Sequence, residues 1–193
     1  MGRTKEGLIA LAKNLGGKTV TGATKGEVLK NFDLHYTTVD LTITTTESAV
    51  ITLKKGSTIG SGDAVSAVSG KYPVTIGAYN YSIALAGHFT ATGVINITLD
   101  DAKAEEKAVS ALLVKYCVVT FNKTPAGLTL VVKQGATTID AEGDGTYKLA
   151  AGDYTWTASA DDYTTKEDEA LTISAGDVTT GTKAVTVTLE SAL

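Results

Sequence analysis

Gly77-Ala78-Tyr79-Asn80-Tyr81 returns as Gly152-Asp153-Tyr154-Thr155-Trp156, and Lys107-Ala108-Val109-Ser110-Ala111-Leu112-Leu113 returns as Lys183-Ala184-Val185-Thr186-Val187-Thr188-Leu189. Both pairs are offset by about 75 residues, and self-similarity at a fixed period marks a duplicated structural unit. Outward from Tyr79 the pattern is alternation. Tyr79, Tyr81, Ile83 and Leu85 occupy every second position, as do Tyr72, Val74 and Ile76 before them and Val39, Leu41 and Ile43 further back. Such alternation puts one side of a strand on a core and the other on solvent.

The first copy spans 37–114. Val50-Ile51-Thr52-Leu53 is a further strand, a loop carries Gly56, Gly60 and Gly62, and Val65, Ala67 and Val68 lead into a turn at Ser69-Gly70. Ile95 and Ile97 follow, Asp100 to Lys107 reads as a short capped helical turn with a solvated face, and Val109, Ala111 and Leu113 close the copy. The second copy spans 115–193 and repeats the plan with Val119, Phe121, Leu128, Leu130, Val132, Tyr147, Leu149, Tyr154, Trp156, Ala158, Leu171, Ile173, Val185, Val187 and Leu189. Short strands at regular spacing with glycine-rich turns predict β-sandwiches. A copy of about 75 residues is small but able to bury a core.

Residues 1–36 read differently. Leu8, Leu11, Ala12 and Leu15 recur at helical spacing until Gly16-Gly17. Thr24-Lys25-Gly26-Glu27 then has the capping-box pattern ahead of Val28, Leu29 and Phe32. Two short helices are expected, each needing a surface to dock on, because isolated helices under about 12 residues are marginal in water. Gly7 to Ala12 is too short for a secretory apolar core, so no signal peptide is expected. No run approaches the ~18 apolar residues of a membrane span.

Composition agrees with a β protein. Thr makes up about one residue in six, and Thr, Val, Ile and Tyr suit pleated, half-buried surfaces. The net charge is -4 and Arg3 is the lone arginine. Nucleic-acid binders concentrate Lys and Arg on one face, so neither nucleic acid nor membrane is an expected partner. The single cysteine, Cys117, lies in an apolar strand and reads as a small buried residue.

In the second copy the residues permit a family comparison. Thr124-Pro125-Ala126-Gly127-Leu128-Thr129-Leu130, Ala151-Gly152-Asp153-Tyr154, Ala160-Asp161-Asp162-Tyr163 and Val185-Thr186-Val187-Thr188-Leu189 together resemble the PEGA-type β-sandwich. Asp162 stands where that family prefers glycine. In the first copy Gly77-Ala78-Tyr79 and Ala86-Gly87-His88-Phe89 fit more loosely, and Glu47-Ser48-Ala49 lacks the proline. The likeness covers about 150 residues and implies non-catalytic surface modules of the immunoglobulin-like or transthyretin-like kind. Separately, Gly17-Lys18-Thr19-Val20-Thr21-Gly22-Ala23-Thr24-Lys25-Gly26-Glu27-Val28-Leu29 resembles segments near the start of structural proteins of phages with Gram-positive hosts. That implies assembly in the cytoplasm and release by lysis.

The residues able to carry chemistry read as structural. Asp140-Ala141-Glu142-Gly143-Asp144-Gly145 resembles the start of a calcium loop, yet its third position is Glu142 and its twelfth is Ala151, so it reads as an acidic hairpin turn. His88 falls in the turn after Ala86-Gly87, aligned with Asp162, and reads as a solvent-facing turn residue. His35 reads as a linker residue. Tyr79, Tyr81, Tyr154 and Trp156 are expected in cores, whereas Tyr36, Tyr72, Tyr147 and Tyr163 are expected partly exposed, with one or two of them available to a binding surface. Lys166-Glu167-Asp168-Glu169 reads as a solvated loop. Glycosidase carboxylates face each other across a cleft, which neighbours in one turn do not. Gly16-Gly17-Lys18-Thr19 has Ala12 where a phosphate loop's first glycine would stand, and no other glycine pattern continues into Lys-Ser/Thr, so no phosphate loop is expected.

The expected fold is therefore all-β: two tandem immunoglobulin-like, PEGA-like sandwiches preceded by a short helical segment. The expected function is a non-enzymatic virion surface protein of a bacteriophage, a capsid decoration or head fibre, without catalytic, metal or cofactor residues. Residues 1–36 would anchor it through Leu8, Leu11, Val28, Leu29 and Phe32, to other virion proteins or to another copy of the chain as a homo-oligomer. Host-surface glycans are a further expected partner. The alternative is a bacterial extracellular or cell-surface adhesion or carbohydrate-binding module.

Overall fold

In a computed structural model of the chain, the structure describes residues 37–192 together with Glu27. The expected N-terminal helices, the anchoring residues Leu8, Leu11, Val28, Leu29 and Phe32, and also His35 and Tyr36, lie outside the described residues.

The protein is all-β, with four sheets and two short helices among the described residues. Two compact units form: 37–85 with 90–113, and 86–89 with 114–192. The first contains β1 (Val39–Thr45), β2 (Val50–Lys55), β3 (Ala64–Val65), β4 (Tyr72–Val74), β5 (Gly77–Ala84), β6 (Ala91–Ile97), α1 (Leu99–Ala104) and β7 (Glu106–Ala111). The second contains β8 (Cys117–Thr124), β9 (Thr129–Gln134), β10 (Thr137–Ile139), β11 (Tyr147–Leu149), β12 (Gly152–Ser159), β13 (Lys166–Ile173), α2 (Ala175–Thr180) and β14 (Thr182–Thr188).

Element by element, the two plans coincide. In the first unit a three-stranded sheet runs β4-β1-β7 and a four-stranded sheet runs β3-β2-β5-β6; in the second the orders are β11-β8-β14 and β10-β9-β12-β13. The first and last strands of each unit lie side by side and parallel, β1 with β7 and β8 with β14. The other strand pairs are antiparallel.

Alternation explains which side is buried. Val39, Leu41 and Ile43 of β1 meet Leu53, Tyr79, Ile83, Ile95 and Ile97 of the facing sheet in one core. Cys117, Val119 and Phe121 of β8 meet Val132, Tyr154, Trp156, Leu171 and Ile173 in the other. Each unit is a two-layer sandwich with its apolar side chains between the layers. Tyr72 and Tyr147, expected partly exposed, are buried. Each sits two residues from an inward Val74 or Leu149 on the same short strand, and the period of two carries it inward. Tyr163 is half-buried against the second core.

Each helix is a single capped turn that leads into the last strand. In α1 the Thr98 hydroxyl accepts from the Asp101 backbone N–H while the Asp101 carboxylate accepts from the Thr98 N–H at 2.7 Å. In α2, Ser174 and Asp177 repeat this reciprocal cap, with the return bond at 2.8 Å. Such caps satisfy donors that the first helical turn leaves unpaired. Both helices end in left-handed residues, Glu105 and Gly181.

Candidate functional site

The most ordered polar constellation occurs twice. Asp101 accepts from Thr98 and from Lys107, whose Nζ lies 2.9 Å from Oδ2. Asp177 accepts from Ser174 and from Lys183, again at 2.9 Å. Helix start and following strand are thereby tied through one carboxylate. Partial burial acts to raise the Asp101 pKa, but the Lys107 ammonium and the Thr98 donors outweigh it and hold the carboxyl below its usual value. Hydrogen bonding from Lys183, with that from Ser174, brings the Asp177 carboxyl down to about 2. Both acids are held ionised and fully engaged, an arrangement that suits a staple rather than proton transfer.

Beside the first staple lies an open depression of about 460 Å³ on the outer side of β1, β4 and β7. Asp40, Thr42, Lys71, Asp101, Glu106 and Lys107 line it. Asp40 is paired with Lys71 at 3.1 Å.

A second polar centre belongs to the first unit alone. Asn80 is buried, and its side chain holds the loop between β2 and β3 from inside. Its Oδ1 accepts from the Gly60 N–H at 2.9 Å, and its Nδ2 donates to the carbonyls of Gly56 at 3.1 Å and Ser61 at 2.9 Å. Lys54 donates to the Gly60 carbonyl at 2.7 Å. In the second unit β9 and β10 are joined by Gly135-Ala136 alone, and Thr155 stands at the place of Asn80.

The sequence-derived candidates fall as follows. Asp140 to Gly145 contains the expected tight acidic turn, in which the Gly145 N–H donates to the Glu142 carbonyl and the Glu142 N–H to the Thr146 carbonyl, each at 2.8 Å. The segment crosses from β10 in one sheet to β11 in the other, because the two strands pair with different neighbours. Its acids are engaged locally. Asp144 accepts from the Thr146 hydroxyl at 2.7 Å and from its N–H at 3.0 Å, which holds the carboxyl below its usual value, and Glu142 pairs with Lys148 at 3.2 Å. Among the described residues no group of three or more His, Cys, Asp or Glu is placed to hold a metal ion.

His88, expected to face solvent in its turn, does not. It is buried, with Nδ1 3.0 Å from the Ala86 carbonyl. Within the second unit it bridges to Lys115, as Tyr163 bridges to Ser191, so His88 corresponds to Tyr163. Gly87 corresponds to Asp162, and both adopt left-handed backbone, at φ 76° and 65°. Asp tolerates that conformation better than most residues do, which accounts for its standing in a glycine position.

Lys166 to Glu169 is not a loop but the first half of edge strand β13. The strand accommodates a register shift opposite Trp156 and Ala158, with Asp168 at φ 49°. Tyr79, Tyr154 and Trp156 are core residues, and Tyr81 is half-buried. The Tyr79 and Tyr154 hydroxyls donate to the carbonyls of Thr75 at 3.0 Å and Ala150 at 3.1 Å. Cys117 is fully buried, and burial pushes its thiol pKa up, away from the reactive thiolate.

Both staples and Asn80 escaped the sequence reading, which gave only a capped turn from Asp100 to Lys107. The offset that aligns Lys107 with Lys183 also aligns Thr98 with Ser174 and Asp101 with Asp177. A Ser/Thr-x-x-Asp-x5-Lys spacing present in both copies was the available signal. Asn80 had none, being one polar residue in an outward-facing strand position.

Fold and sites together define an all-β protein of two sandwiches whose polar groups are mostly spent on holding turns and helix starts. No family model matches the chain. No curated protein matches it either. Among solved structures it is similar to the Bacillus anthracis TIE protein, at 14% identity and a TM-score of 0.29, over 79% of this chain and 34% of that one. The chain thus spans about a third of that protein's length. No helix among the described residues is long and apolar enough to cross a membrane.

Proposed function

We propose that this chain is a non-enzymatic structural protein on the surface of a bacteriophage particle, of the capsid-decoration or head-fibre type. In this reading residues 1–36 anchor it, and the two units project as immunoglobulin-like, PEGA-type sandwiches. The observation that carries the structural part is the engagement of the polar groups. Asp101, Asp177, Asp144 and Asn80 each bind neighbours in their own turn or helix start, and the large aromatics fill cores. Catalysis needs the reverse, a nucleophile and base converging on open space. The phage part rests on the likeness of residues 17–29 to phage structural proteins.

The test is mass spectrometry of purified particles from a lysate of the source, with protease treatment of intact particles. The proposal expects the chain at stoichiometric level, with the sandwiches cut or labelled before residues 1–36. Absence of the chain from washed particles overturns it.

The depression beside β1, β4 and β7 favours a second reading, a carbohydrate-binding or cell-surface adhesion module, because charges of both signs and a hydroxyl line it. Retention on glycan or cell-wall columns, lost in Asp40→Ala with Lys71→Ala, supports that reading. Passage through every such column removes it.

A further inference from the structure

Edge strands expose unpaired backbone N–H and C=O groups and invite pairing with other chains, so proteins guard them with charge, proline, bulges or brevity. The two units differ in how they guard the same edge. β13 begins Lys166-Glu167-Asp168-Glu169, shifts register and holds Asp168 in left-handed backbone. Its counterpart β6 reads Ala91-Thr92-Gly93-Val94-Ile95-Asn96-Ile97, with regular pairing to β5 throughout and no ionisable residue. The other edge strands among the described residues are short or carry charge. β3, β4, β10 and β11 have two or three residues each, β7 carries Glu106 and Lys107, and β14 carries Lys183. Among the described residues β6 has a neighbour on one side only.

We infer that β6 is a self-association edge, which pairs antiparallel with β6 of a second copy of this chain and joins two four-stranded sheets into one. The sequence of the strand picks that occupant. A two-fold axis through Val94 sets Val94 against Val94 and Thr92 against Asn96 on the outer side. On the inner side it sets Gly93 against Ile95 and Ala91 against Ile97. Small thus meets large and polar meets polar, with no charge opposed to its like. Val94 is 44% exposed on the outer side of the strand. Gly93 adds no side chain to the edge. The Tyr81 ring covers it so closely that a Cβ there would lie 2.6 Å from the Tyr81 hydroxyl oxygen. In the second unit the residue paired with Trp156 is Glu169, whose charge bars the same approach. A self-complementary patch on a two-fold axis closes as a dimer.

The test is sedimentation equilibrium of the full chain from about 10 to 500 µM, the range suited to an interface below ~1,200 Å², beside Val94→Lys. The substitution points outward, so the core is untouched, and it sets two ammonium groups opposite each other at the axis. The unaltered chain is expected to rise toward the mass of two chains, and Val94→Lys to remain at one with an unchanged thermal melt. Leu112→Lys, at an exposed apolar residue off the edge, is expected to dimerise as the unaltered chain does. Amide exchange in β6 is expected to quicken on dilution of the unaltered chain alone. If Val94→Lys loses its melt, Thr92→Lys is read in its place. A single-chain mass at every concentration overturns the inference, including the case in which β6 amides stay protected because residues 1–36 cover the edge. So does a Val94→Lys chain that dimerises normally.

Discussion

Tyr81 and Trp156 hold the same place on β5 and β12, and their surroundings differ. Trp156 is buried and meets the edge of Phe121, with ring centroids 6.3 Å apart, and Phe121 in turn meets Tyr147 at 5.5 Å. Tyr81 is half-buried, lies over Gly93 and packs against the first core, in which Ile43 stands at the place of Phe121. The second unit concentrates its packing in an aromatic cluster. The first spreads it over aliphatic residues and adds the loop pinned by Asn80. One topology is served by two cores because its requirements, alternation and capped crossovers, are met in both copies.

Truncating the two aromatics breaks the comparison most sharply. Trp156→Ala is expected to cost about 3–5 kcal/mol and Tyr81→Ala about 1–2 kcal/mol, read as shifts in urea midpoints of the full chain by far-ultraviolet dichroism. Equal costs would mean that the aromatic cluster adds nothing beyond the aliphatic core.

Next comes the pinned loop. Asn80→Ala leaves the Gly60 N–H and the carbonyls of Gly56 and Ser61 without their buried partner, for an expected cost of about 2 kcal/mol. Thr155→Ala at the matching place is expected to change stability by less than about 0.5 kcal/mol. Amide exchange at Gly60 should quicken in Asn80→Ala before the sheet amides do.

The staples are where the copies should agree. Thr98→Ala and Ser174→Ala each remove an N-cap and are expected to cost about 1 kcal/mol, measured by denaturation. The smallest effect at neutral pH, and the most specific, is acid sensitivity. The Asp177 carboxyl is depressed to about 2 in the folded chain, below the ~3.9 of an unfolded aspartate. Its stabilisation is therefore complete above about pH 4 and is lost as pH falls from there through about 2. Asp177→Asn is expected to flatten the fall of stability across that window, followed by midpoints at successive pH values. An unchanged slope removes the staple from the account of acid stability.

Most of the layer structure was legible because period-two alternation is dense in this chain. Val39-Leu41-Ile43 and Tyr79-Tyr81-Ile83 announce both their strands and their inward sides. The capped turn was legible from the charged run Asp100 to Lys107, although its cap Thr98 was not. Its twin α2 was not, because Gly176, Val178, Thr179 and Thr180 are weak helix formers, and the cap and tertiary packing override them. Lys166 to Glu169 misled because four charges in a row suit a loop, yet an edge strand keeps its charges in solvent. His88 misled because a turn sequence says nothing about what covers the turn. Asn80 was invisible for a physical reason: its role depends on a loop that folds back over the sheet, and the local strand pattern carries no trace of that.

The parallel neighbours β1–β7 and β8–β14 give each sandwich a mechanical character. Tension on the chain pulls the first strand of a unit one way and the last strand the other. The six pairs of register between β1 and β7, and the seven between β8 and β14, are then dragged lengthwise together. Their bonds, evenly spaced along a parallel ladder, share the load at once, whereas a terminal hairpin peels open one bond at a time. A chain built this way resists stretching end to end, a useful property for anything held at one end in moving fluid.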